Sequence, residues 1–137
     1  MADYQPFAEV LAQGQDNGVT IAADDTFTLE PARFTGKVTS VSYVPEAAAT
    51  GDNSNARTFT LVNKGTAGSG TTVIATLALT TGVNLVASDE KAATVTATAA
   101  DQLVTAGDVL AWVSTHTGTG VVDPGGAVIV KGNRTQG

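Results

Sequence analysis

The chain has 137 residues, a formal charge of −6 and no cysteine. That length suits one domain burying roughly two-thirds of its unfolded surface, and the missing thiols exclude disulfides, thiolate nucleophiles and cysteine-ligated metals. The seven basic residues are scattered from Arg33 to Arg134 without forming a run, which excludes the clustered cations that a nucleic-acid surface needs.

Charged residues make up 15% of the chain, against about 25% on average, and Thr and Gly take their place. Hydrophobic content is 42% but aromatics only 5%, so the core is expected to be built of small β-branched side chains with few large anchors. No apolar run approaches the roughly 20 residues of a membrane span. The first residues carry Asp3 and Glu9 and lack a basic start with an apolar stretch, so no signal peptide is expected. A soluble protein made in a cytosol is the expectation.

Residues 1–17 differ from the rest of the chain. Phe7, Val10 and Leu11 fall at helical spacing and Pro6 suits a first turn, but the segment is too short to hold a helix alone. It reads as an N-terminal arm docked on the domain or on a neighbour. From Gly18 the pattern turns to β. Val19 and Ile21 alternate with Thr20, Asp24-Asp25 turns the chain, and residues 26–30 place Phe27 and Leu29 against Thr26, Thr28 and Glu30. Pro31 ends that strand. Residues 34–45 form the longest strand candidate, residues 46–56 a loop, and residues 57–63 a strand with Phe59 and Leu61 on its buried face. After a flexible 64–70 loop, strands are predicted over 71–80, 83–86 and 93–99.

Two apolar strands close the pattern, at 109–114 and 127–130, joined by a Gly-, Thr- and Pro-rich connection. Val109, Ala111 and Val113 share one face of the first, Leu110 and Trp112 the other. An apolar strand on both sides suits the middle of a sandwich or a subunit seam, and Leu110 and Trp112 are the candidates for such a seam. A polar tail, 132–137, completes the chain. About eight or nine strands at this spacing, with no helices between them, predict an all-β antiparallel sandwich over 18–131. A jelly roll fits best, and an immunoglobulin-like sandwich is the alternative.

Chemistry-bearing sets are sparse. His116 is the one histidine, with Ser114 and Asp108 or Asp123 near it in sequence, but no strained nucleophile turn accompanies it. The pairs Asp24-Asp25 and Asp89-Glu90 lack the aromatic platforms of a glycosidase and read as turns. Asp52-Asn53-Ser54-Asn55 offers oxygen ligands, yet the position where a calcium loop needs its final glutamate holds Asn63. The glycines of 65–70 precede no Gly-Lys-Ser/Thr and no helix. No catalytic residue, cofactor or metal is expected.

The stretches GKVTSVSYVP (36–45), NARTFTLVNKGTAGSG (55–70) and the AGDVL-to-DPGG-to-VIV region (106–130) resemble a family of small tailed-bacteriophage structural proteins with β-sandwich folds. The nearest assignment is a capsid decoration, or cement, protein, and the likeness runs over residues 18–131. It implies a virion protein bound to the outer surface of the major capsid protein shell, as a homotrimer, without nucleic-acid or membrane partners. The arm outside the likeness, with Phe7, Val10 and Leu11, is the expected capsid attachment. The alternatives are a phage tail or fibre component binding a host glycan, and a non-viral carbohydrate-binding module. Scarce aromatics weigh against both glycan readings.

Overall fold

The computed structural model describes residues 3–136. Ten strands form one curled antiparallel sheet: β1 (Asp3–Tyr4), β2 (Glu9–Asp16), β3 (Asp25–Thr28), β4 (Gly36–Pro45), β5 (Ala56–Asn63), β6 (Thr72–Leu79), β7 (Lys91–Val95), β8 (Leu103–Val104), β9 (Leu110–Thr117) and β10 (Gly126–Gln136). A single 3₁₀ turn, Ala99–Gln102, precedes β8. Eight of the strands lie in two layers, β2-β10-β4-β7 over β3-β9-β5-β6, which is jelly-roll connectivity.

Both edges between the layers are closed. β7 pairs with β4 through Val41–Ala93 and then with β6 through Ala75–Val95, so one strand serves both layers. On the opposite side, residues 29–33 leave β3 and cross between the layers. Leu29 N–H donates to Leu110 O at 2.9 Å, Glu30 N–H to Gln13 O at 3.2 Å and Arg33 N–H to Leu11 O at 2.9 Å. These bonds cover edges that would otherwise be open to pairing with another chain.

Between the layers sit the few large anchors the composition allows. The rings of Tyr43, Phe59 and Trp112 meet with centroids 5.0–5.6 Å apart, and Leu11, Leu61, Ile74, Leu79 and Leu110 fill the space around them without solvent exposure. Ile74 and Ala75 both face inward because the β5–β6 register slips between Leu61 and Val62, a bulge that turns two consecutive residues to one side.

Three expectations are corrected. Residues 9–16 are no arm but the β2 strand, running along β10 from Glu9–Gly132 to Asp16–Gly126. Leu11 and Ala12 are both fully buried, because the β2–β10 register shifts between Val130 and Lys131. Residues 132–136 are likewise no tail. They extend β10 beside β4 and β1, and their polarity reflects a ribbon that runs past the core. Residues 19–21 and 83–86 contribute only isolated bridges, Val19–Asp123 and Ala49–Leu85.

Candidate functional site

The strand directions divide the loops into two sets. The connections 17–24, 46–55, 80–90 and 118–125 gather at one end of the barrel, and 29–35, 64–71 and 96–109 at the other. Asp24, Asp25, Glu46, Asp52, Asp89 and Glu90 belong to the first end, with Asp16 and Asp123 buried beneath them. Only Lys91 and the buried Arg57 oppose them there. The other end holds five carboxylates and five basic residues, so the formal charge of −6 resides wholly at the first end. Sequence composition states the total, and only the topology gathers it.

Arg57 organises this acidic end. It stands in phase with Phe59 and Leu61 on the inner face of β5 and has no solvent exposure. Among the described residues no carboxylate pairs with it. Its Nε donates to Val121 O at 2.6 Å, Nη1 to Ser114 Oγ at 2.8 Å, and Nη2 to Ala23 O at 2.9 Å and Thr20 O at 3.2 Å. A buried cation is costly unless its donors are matched, and here carbonyls of two loops match them. Arg57 therefore holds the 17–24 and 118–125 loops onto the sheet.

Two turns of like sequence abut above it. In Asp16-Asn17-Gly18, the Asp16 carboxyl accepts from Gly18 N–H at 2.8 Å. In Asp123-Pro124-Gly125, the Asp123 carboxyl accepts from Gly125 N–H at 3.1 Å. Tyr43 reaches up from the core and donates to Asp123 Oδ1 at 2.7 Å. Gly18 has φ +81°, and a Cβ there would stand 2.6 Å from Asp123 O, so the close approach of the two turns requires glycine. Burial, and hydrogen bonding to Asp123, push the Asp16 carboxyl up to about 7. The Tyr43 hydroxyl is pushed up by the same burial and by Asp123.

The groups weighed for chemistry are dispersed. His116 Nδ1 meets Asp24 Oδ1 at 2.6 Å, and His116 holds the Asp24 carboxyl below its usual range. The pairing is with Asp24, while Ser114 is engaged by Arg57 and Asp108 lies at the far end, accepting from Thr105 N–H. Among the described residues no hydroxyl is hydrogen-bonded to the other ring nitrogen of His116. The Asp52 carboxylate accepts from Asn55 N–H at 2.7 Å and Ser54 N–H at 2.8 Å, which lowers its pKa and commits it to its own turn. Among the described residues no group of three or more His, Asp or Glu side chains is placed to hold a metal ion.

A groove of about 480 Å³ opens between the 17–24, 46–55 and 118–125 loops, with Ile21, Ala48, Val121 and Val122 as its apolar wall and Asp52 and Asn55 on its rim. Asn55 Oδ1 is already bonded to Thr119 N–H at 3.0 Å. No aromatic ring lines it.

The residues expected to bind partners fare differently from one another. Phe7 is 55% exposed and stands free at the kink between β1 and β2. Val10 is half-buried. Leu11, Leu110 and Trp112 have no exposed surface, so Leu11 cannot touch a capsid and Leu110 and Trp112 cannot form a subunit seam: the two-sided apolar strand is central to its own sheet. What the sequence reading missed is the outer face of that sheet. Thr26, Val113, Thr60, Thr76 and Thr94 form one row across five strands. Thr28, Ala111, Val62 and Val73 form the next, where Ala111 and Val62 are buried and Val73 is exposed, and neither row holds a charged residue.

No known family model matches the chain, and no curated protein matches it in sequence.

Proposed function

We propose that the chain is a structural binding protein, and specifically a bacteriophage capsid decoration protein that lies on the outside of a preformed shell. The observation that carries this reading is the charge-free threonine–valine face of the β3-β9-β5-β6 sheet. A face without charges can be covered by another protein with little desolvation cost, whereas the acidic loop end resists such burial. A closed barrel also suits a part that must add rigidity without exposing strand edges. The jelly roll recurs among viral capsid and lectin domains, which is a fold-level analogy in support. The major capsid protein is the proposed partner, and a homotrimer the proposed assembly.

Attachment is assigned to this sheet face in place of an N-terminal arm. The groove supports a glycan-binding alternative poorly, because its rim carboxylate and amide are bonded within their own loops and no ring is available for stacking. The test is cosedimentation of the purified protein with emptied shells of its source particle. Wild type is expected to pellet with the shells, and the double variant Thr60→Glu, Thr76→Glu to stay in solution while retaining its melting temperature. Failure of the wild type to pellet, or pelleting of the variant at wild-type level, overturns the proposal.

A further inference from the structure

Asp16 is 1% exposed and Asp123 2%, and the Tyr43 hydroxyl reaches both carboxyls where the two turns meet. Between them they have four carboxyl oxygens and too few donors. Gly18 N–H serves Asp16 Oδ1. Gly125 N–H and the Tyr43 hydroxyl serve Asp123 Oδ1. Tyr43 stands a long 3.4 Å from Asp16 Oδ2, and Asp123 Oδ2 is buried with no partner among the described residues. Two ionised carboxylates in this position would carry two buried charges and an oxygen bonded to nothing, an arrangement that proteins avoid. One proton held between the two carboxyls removes one charge and supplies the missing bond.

We propose that Asp16 and Asp123 share one proton and form an acid-closed latch between the 17–24 and 118–125 loops. The latch sits directly under the groove. Val19 and Asp123 exchange backbone bonds at 3.0 and 3.2 Å, and the residues flanking this bridge, Ile21, Val121 and Val122, are the groove's apolar wall. Tyr43 on β4 and Asp25 on β3 are the other titratable groups acting on Asp16. The Asp25 carboxylate favours its protonated form, and the Tyr43 hydroxyl is spent on Asp123. Arg57 offers no compensation, since its guanidinium is directed at Val121 O, Ser114 Oγ and the loop carbonyls. Loss of the shared proton puts two negative charges in contact and drives the two loops apart, opening the groove wall.

The unfolded chain releases this proton near the ordinary aspartate value of 3.8, whereas Asp16 in the fold holds it to about 7. The latch therefore favours the fold most at acid pH, and that advantage is lost as pH rises through 7. The Asp24 carboxyl, lowered by His116, works in the opposite sense but titrates below this window.

The test is carboxyl-carbon NMR titration of the wild-type protein, with melting temperatures of wild type and Asp16→Asn between pH 5 and pH 8. One aspartate is expected to titrate near pH 7, with the Gly18 and Gly125 amides shifting at the same midpoint. Wild-type melting temperature is expected to fall by about 5–10 °C over that range. Asp16→Asn imitates the protonated acid and is expected to lose this slope, overtaking wild type at pH 8. Titration of every aspartate below about pH 5 overturns the proposal, and decides the matter even if Asp16→Asn fails to fold. So does a rise in wild-type melting temperature on adding millimolar calcium at pH 8 that Asp16→Asn lacks, because a cation would then take the place of the shared proton.

Discussion

Replacing Arg57 by methionine removes the donors that tie the 17–24 and 118–125 loops to β5. Methionine has similar length and fits the inward-facing position that Arg57 shares with Phe59 and Leu61 on β5, so the loss is chiefly of hydrogen bonds. Val121 O, Ala23 O and Ser114 Oγ lose a charged donor at 2.6, 2.9 and 2.8 Å. Bonds to charged groups contribute about 1.5–3 kcal/mol each, or roughly 5–9 kcal/mol for three. Relief from burying a cation offsets several kcal/mol of that, leaving a net loss of about 3–5 kcal/mol. Against a total stability of about 5–15 kcal/mol, about a fifth or more of the fold's margin would go. Trp112 is the sole tryptophan and has no exposed surface, so its fluorescence follows the core in a urea titration. Arg57→Lys should lose less, since a single ammonium reaches some of the same carbonyls but lacks the fork. A loss below about 1 kcal/mol in Arg57→Met would refute the assignment of Arg57 as the tie between loops and sheet.

Other outcomes rest on the same placements. Deleting residues 2–17 removes β2 and is expected to prevent folding, read as loss of the cooperative Trp112 transition. Leu11→Ala, a single cavity within that strand, is expected to cost about 2–5 kcal/mol. Phe7→Ser, at an exposed kink, should leave the urea midpoint unchanged within about 0.5 kcal/mol. Light scattering of the purified protein at micromolar concentration should report the mass of the proposed homotrimer, and a strict monomer there would contradict that assembly.

The strands with clean alternation were legible from the residues. The readings 34–45, 57–63 and 71–80 fall on β4 (Gly36–Pro45), β5 (Ala56–Asn63) and β6 (Thr72–Leu79), because Val, Thr, Phe and Leu alternate there against a half-solvated sheet. β2 was not legible. Its sequence, EVLAQGQD, is poor in β-branched residues, and the register shift beside Leu11 breaks the period. It becomes a strand because β10 and residues 30–33 supply bonds on both of its sides; tertiary pairing outweighs local propensity. The end of β10 was hidden for a related reason, its polar residues being paired outside the core. Arg57 did leave a signal, since it shares the period of Phe59 and Leu61, but a cation in phase with a core face is ordinarily read as a strand terminus. The Asp-x-Gly turns were each visible as turns. That they stand back to back with Tyr43 between them depends on pairing β2 with β10 and β10 with β4, which no local pattern states.

A cryo-electron density map of the source particle's shells after incubation with the purified protein tests the central claim most directly. Barrel-shaped density is expected on the outer shell surface, with the sheet bearing Thr60 and Thr76 turned toward a neighbouring protein and the acidic loops toward solvent. Bare shells, or barrels held to the shell by the acidic loop end with that sheet facing solvent, would contradict it.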